Sequence, residues 1–160
     1  MRTDLEYREC KNDYLKYWRV VRHWALVQYE LYPADLDMIL YLYSEKYFKT
    51  ADFRGYANIM SWDKKRWRRL LNNGWVQEFR PRSGNKGAIY QLSPKAKTCV
   101  ATIYRKLNGE EFAETRKRNK FMNSRKKLRF TDKMYRDYML KINEEIRALQ
   151  QRRAQESQSD

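Results

Sequence analysis

The stretch Ser61-Trp62-Asp63-Lys64-Lys65-Arg66-Trp67-Arg68-Arg69-Leu70-Leu71-Asn72-Asn73-Gly74-Trp75-Val76 decides how this chain is read. Ser61 is a good N-cap, Asp63 suits the positive end of a helix, and Gly74 can take the left-handed conformation that ends one, so the pattern predicts a helix over 62–73. At about 100° per residue, Trp67, Leu70 and Leu71 gather on one side. Asn72, Lys65, Arg69 and Trp62 fall opposite, flanked by Arg68 and Arg66, with Lys64 at the margin. This outward face has no acidic member. Solvated helix faces normally mix charges to gain intrahelical pairs. Five basic residues within 64–69, opposed by Asp63 alone, instead fit a polyanion. Lys and Arg can donate to guanine edges in a duplex major groove, and Asn can pair with adenine.

Upstream, Tyr32-Pro33-Ala34-Asp35 opens a second helix, with Pro33 in its first turn, Asp35 at its positive end and Leu36, Ile39, Leu40 and Tyr43 as the expected buried stripe. Thr50 can cap a short third helix over 51–57, with Phe53 and Ala57 facing inward, and residues 58–60 turn the chain. Two short helices joined by a tight turn form the helix-turn-helix pattern. Downstream, residues 75–80 and 88–92 have strand composition around the turn-forming, basic stretch 81–87. The result is a hairpin, or wing, over 75–92 that carries Arg80, Arg82 and Lys86. A positive tip of this kind can lie along a minor groove or on the backbone beside it. Ser93-Pro94 then caps a helix running to about Asn108, with Val100, Ile103 and Leu107 on one stripe and Gly109 closing it.

The ends of the chain read as scaffold. From 14 to 31, Tyr17, Val20, Val21, Trp24, Val27 and Leu31 recur at helical spacing, and Tyr135, Tyr138, Ile142, Ile146 and Leu149 form a second stripe near the C-terminus. Two such helices suit a dimerisation layer built on Val20, Trp24, Val27, Tyr135, Tyr138, Ile142, Ile146 and Leu149. Packing on their own domain is the competing reading. The polar tail 150–160 is expected to fray. Charge is just as unevenly placed: residues 1–60 hold 9 basic and 9 acidic side chains, 61–130 hold 20 and 5, and 131–160 hold 6 and 6. The net +15 therefore lies in the middle segment, as phosphate neutralisation requires. Residues 115–129 carry eight basic side chains and no acid, which reads as a mobile basic arm. The expected organisation is an N-terminal helix (1–31), a DNA-binding domain (32–109), a basic linker or arm (110–130) and a C-terminal helix with its tail (131–160).

In this order of elements the chain resembles the MarR family of bacterial transcription regulators. The carriers are Leu31-Tyr32-Pro33, the Ser61 cap, Leu70-Leu71-Asn72-Asn73-Gly74-Trp75-Val76 and Leu92-Ser93-Pro94-Lys95-Ala96-Lys97. The expected class is mainly α with a small β-hairpin wing (α+β), a winged helix-turn-helix with N- and C-terminal dimerisation helices. The resemblance implies a homodimer that sets two recognition helices in successive major grooves of a pseudo-palindromic site on double-stranded DNA, with its wings on the flanking minor grooves. Carried over, Trp62, Lys64, Lys65, Arg68, Arg69 and Asn72 occupy the recognition face, with Thr50 beside it, and Arg80, Arg82 and Lys86 lie on the wing. The sequence departs from the family pattern in Tyr32, in Asp63 and in lacking the family's Asp-Arg wing pair. Many members sense small aromatic effectors in a dimer-interface pocket. Trp24, Tyr17 and Tyr43 are the residues here that such a pocket would use, though they read more readily as core.

Catalysis finds no motif. His23 is the only histidine, no HExxH, GxSxG or Walker-type loop occurs, and Glu110-Glu111 and Glu144-Glu145 are adjacent rather than convergent. The expectation is a non-enzymatic protein with no cofactor and no metal. Cys10 and Cys99 form no CxxC and read as reduced thiols. No stretch approaches the roughly 18 apolar residues of a membrane span, and the N-terminus lacks a signal pattern, so a cytoplasmic, nucleoid-associated protein is expected. The alternative function is nonspecific architectural or replication-accessory binding to DNA or RNA.

Overall fold

The computed structural model describes residues 14–60, 62–123 and 127–159. Among them are α1 (Tyr14–Gln28), α2 (Pro33–Leu42), α3 (Thr50–Tyr56), α4 (Lys64–Asn72), β1 (Val76–Arg80), β2 (Ile89–Leu92), α5 (Pro94–Leu107) and α6 (Phe130–Gln158), with one 3-10 turn at Lys120–Met122. The described residues are thus mainly helical, with a small two-stranded antiparallel sheet. None of these helices is long and apolar enough to cross a membrane. The chain divides into two compact units, one of Met1–Arg22 with Arg105–Asp160 and the other of His23–Tyr104.

The His23–Tyr104 unit is built around aromatic rings. Phe53 of α3 is fully buried, stacked on Trp62 at 5.3 Å, tilted against Trp67 at 4.4 Å and edge-on to Phe48 at 5.5 Å. Trp67 in turn meets Tyr90 edge-on at 4.9 Å. Such offset and edge-to-face contacts contribute beyond the area they bury. They explain why a seven-residue helix, too short to persist alone, holds here. Leu36, Ile39, Leu42, Leu70, Trp75, Val76, Leu92, Val100 and Ile103 complete this core.

Several expected details differ. α1 ends at Gln28 rather than at Leu31, because Glu30 takes a left-handed backbone (φ 54°) and the Leu31 N–H donates to the Leu26 carbonyl at 2.9 Å. The buried stripe of α2 is Leu36, Met38, Ile39 and Leu42; Leu40 is half-buried and Tyr43 exposed. Thr50 does not cap α3 but is its first residue, and Asp52 supplies the cap by accepting from the Lys49 N–H at 2.7 Å. Ala57 is exposed rather than inward-facing.

Downstream of α4 the expected turns hold. Gly74, at φ 74°, lets the Trp75 N–H donate to the Leu70 carbonyl at 2.9 Å. β1 pairs with β2 from Val76–Leu92 to Arg80–Ile89, and the turn closes through Ser83 and Lys86. Phe48 adds one antiparallel bridge to Tyr90. Ser93 caps α5, its Oγ accepting from the Ala96 N–H at 3.2 Å.

Cys99 is fully buried on α5, and that burial pushes its thiol up to about 12. The thiolate, not the thiol, is the nucleophile that attacks thiol reagents. In a Cys10→Ser variant, Cys99 is therefore expected to stay unlabelled at neutral pH until denaturant unfolds the chain, as read by thiol titration; fast labelling of the folded protein would refute this. Cys10 lies outside the described residues.

In the other unit, Val21, Phe112, Phe121, Met139, Ile142 and Ile146 are buried. Of the expected basic arm, the described residues 115–123 hold a turn and the 3-10 turn at Lys120–Met122, packed on α6. Asn143 of α6 accepts from the Phe112 N–H at 2.7 Å and donates to the Phe112 carbonyl at 2.9 Å, clamping that backbone as a strand partner would. Asn119 is fully buried, donates to the Ala113 carbonyl and accepts from the Phe121 N–H, so the turn is satisfied from within. Arg147 pairs with Glu111 and Glu114, and the Asn143 amide and Arg147 hold the Glu114 carboxyl below its ordinary range. The charged residues Arg116, Lys117, Arg118 and Lys120 stay exposed around this packed segment. The expected frayed tail is helical in α6 to Gln158, with its side chains exposed beyond Leu149.

Candidate nucleic-acid interface

The best-defined charged surface is α4. Its N-cap is Asp63, whose carboxylate accepts from the Arg66 N–H at 2.8 Å. The helix therefore starts later than expected, and Ser61 lies outside the described residues. Trp67 and Leu70 are buried, and they pin one side of the helix. On the other side Lys64, Lys65, Arg68 and Asn72 are exposed, and Arg66 is half-buried. Lys64, Lys65, Arg68, Arg69, Asn72 and Asn73 line one open depression. At the far end of α4, Lys95 donates to the Asn73 carbonyl at 3.2 Å and lies 4.1 Å from the Trp75 ring centroid. This cation complements the negative helix end.

Two expected members of the face are used otherwise. Trp62 precedes the helix and so escapes its angular pattern, with its ring stacked on Phe53 instead of facing outward. Arg69 turns to α2. Its Nε and Nη2 donate to the two Asp35 oxygens at 2.6 and 2.7 Å, and its guanidinium lies 4.3 Å from the Tyr32 ring centroid. Asp35 is only 3% exposed and the Arg69 side chain 25%, so this is a largely desolvated, bidentate pair. The hydrogen bond to Asp35 raises the Arg69 pKa above its ordinary value. Asp35, expected merely to favour a helix end, is the counterion that ties α2 to α4.

The wing residues Arg80, Arg82 and Lys86 are all exposed, as is Thr50. Of the expected subunit-contact residues, Val20, Trp24, Ile142 and Ile146 are buried within the single chain, which the competing reading accounts for. Val27 and Tyr135 are half-buried, and Tyr138 and Leu149 exposed. Within the Met1–Arg22 and Arg105–Asp160 unit, Lys16 pairs with Glu145 at 3.6 Å beside a groove of about 470 Å³ lined by Tyr17, Val20, Met134, Tyr135, Tyr138 and Ile142. Of the residues named for an effector pocket, Tyr17 and Trp24 are buried and Tyr43 is exposed. Among the described residues, no group of three or more His, Cys, Asp or Glu is placed to hold a metal ion.

No family model matches the chain. No curated protein and no solved structure matches it either.

Proposed function

We propose that this chain is a sequence-specific, double-stranded-DNA-binding transcriptional regulator of the winged-helix type that acts as a homodimer on cytoplasmic, nucleoid-associated DNA. The observation that carries the reading is the outward face of α4, where Lys64, Lys65, Arg68 and Asn72 are exposed together while Trp67 and Leu70 anchor the opposite side. A nine-residue helix so held is narrow enough for the B-form major groove, and its Lys and Arg side chains can donate to base-edge acceptors. The β1-β2 hairpin follows directly and adds Arg80, Arg82 and Lys86, suited to phosphates or to a flanking minor groove. For the homodimer, the support is the row of exposed Phe130, Met134 and Tyr138 along α6, four residues apart on one helix face.

Binding is expected to weaken steeply as salt rises, because each neutralised phosphate releases counterions. Selection from a random duplex library tests the reading most directly. One consensus of two half-sites about one helical turn apart is expected. Recovery of no consensus would refute sequence-specific regulation.

One observation favours the second reading, nonspecific nucleic-acid binding. Arg69 is withdrawn from the α4 face, and Arg116, Lys117, Arg118 and Lys120 are exposed on a turn with no base-reading helix of its own. Footprinting on long duplex DNA separates the two, with discrete protected sites expected for the regulator and uniform coverage for the alternative.

A further inference from the structure

Tyr47 and Phe79 lie outside the Phe53 cluster of the His23–Tyr104 unit and form the closest exposed ring pair among the described residues, ahead of Tyr43 and Tyr104 at 5.9 Å. Tyr47 and Phe79 are each 52% exposed, and their centroids lie 4.5 Å apart with the rings tilted by 38°. Phe79 owes this position to a break in the hairpin ladder. Glu78 pairs with Tyr90 and Arg80 with the next residue, Ile89, so Phe79 is the extra residue of a β-bulge. A bulge leaves its residue unpaired and re-aims its side chain. Tyr47 comes from the segment just before the Phe48–Tyr90 bridge, which ties that segment to the same hairpin. Two unlinked stretches of sequence thus bring one aromatic pair to the surface.

The neighbours in sequence decide what such a pair fits. Lys46, Lys49, Arg80, Arg82 and Lys86 are all exposed, against exposed Glu45 and Glu78. A protein partner docking on two rings favours an apolar surround with few charges. A surround of mostly cations fits a flat, apolar-faced group joined to an anionic backbone. We infer that Tyr47 and Phe79 form a stacking platform for an unpaired nucleotide of a nucleic-acid strand, with Lys46 and Arg80 beside it for the phosphates. Base stacking on aromatic side chains tolerates any base, since every base has a π face. The site lies on the hairpin and not on the α4 face, so it does not depend on recognition of a duplex sequence.

The test compares three probes by fluorescence anisotropy on the full chain: a blunt duplex, the same duplex with a short unpaired overhang, and short single strands of thymidylate or uridylate. The overhang is expected to bind roughly tenfold tighter than the blunt duplex. Phe79→Ala should abolish that preference and leave blunt-duplex affinity unchanged, and Phe79→Trp should retain it. Single strands should bind in a Phe79-dependent way, and capture of either thymidylate or uridylate supports the platform. Equal affinity for blunt and overhanging duplex overturns it, as does equal loss on both probes in the alanine variant. Where that variant fails to fold, photocrosslinking of a halogenated pyrimidine in the overhang to the native chain decides: adducts on Tyr47 or Phe79 support the site, and adducts elsewhere alone refute it. A chain that binds single strands but shows no duplex consensus would sink the regulator reading and leave this one standing; the converse result would do the reverse.

Discussion

Arg69→Ala is expected to lower the unfolding free energy by about 3–5 kcal/mol, because it leaves the Asp35 carboxylate buried with no countercharge. The ranking within a mutant set is a sharper test than the single value. Asp35→Ala should cost less, about 1–3 kcal/mol, since the stranded Arg69 is a quarter exposed and can turn its guanidinium to water. Arg69→Lys should recover only part of the loss: an ammonium lacks the planar fork that meets both carboxylate oxygens and stacks on Tyr32. Replacing both partners by leucine should come out nearer to wild type than Arg69→Ala, because no charge is then left buried. Urea unfolding followed by tryptophan fluorescence measures all four, as Trp24, Trp62, Trp67 and Trp75 lie in the same unit as the pair. If Arg69→Ala falls within about 1 kcal/mol of wild type, the pair is a surface bridge of the usual small worth and the tie between α2 and α4 is illusory.

The Arg69 pairing also marks where the sequence stopped being legible. Periodicity placed the helices because apolar side chains must share a face whatever lies around them, and Gly74 and Gly109 ended α4 and α5 because each takes a positive φ there. The hairpin and the Ser93 cap were readable for the same local reason. An angular projection gives the direction in which a side chain leaves a helix, but not which neighbour crosses that direction. Arg69 points away from Leu70 and Trp67, and only the approach of α2, 34 residues earlier, converts it from surface cation to the half-buried partner of a buried carboxylate. Trp62 was misplaced because Asp63 caps α4, and a residue outside the helix does not follow its angular pattern. The run 115–129 hid its fold behind its charge. Among the described residues of that run Phe121 and Asn119 are buried, and a buried amide that replaces a strand partner, as Asn143 does for Phe112, has no periodic signature. The bulge at Phe79 was invisible because it depends on register with β2.

On the proposed reading, Arg69's commitment to Asp35 leaves duplex recognition to fewer side chains, and the cost of removing each should be correspondingly larger in proportion. Lys65 and Arg68 are the exposed cations nearest the centre of α4. Each changed to alanine alone should weaken binding to a selected site by roughly 1–3 kcal/mol and relax base preference at one position per half-site. The paired Lys65→Ala, Arg68→Ala variant should lose roughly 2–6 kcal/mol if the two read separate bases, since independent contacts add. Arg82→Ala and Lys86→Ala at the hairpin turn should behave differently: binding weakens about equally on all sequences and the salt slope falls by roughly one per residue, as expected for phosphate contacts. Lys133→Ala on α6 provides an exposed cation outside both surfaces and should change neither quantity. Isothermal titration at two salt concentrations, on the selected duplex and on a scrambled one, separates these classes. If the paired α4 variant keeps its affinity and preference while the hairpin variants lose theirs, α4 does not enter the groove, and the hairpin alone holds the nucleic acid.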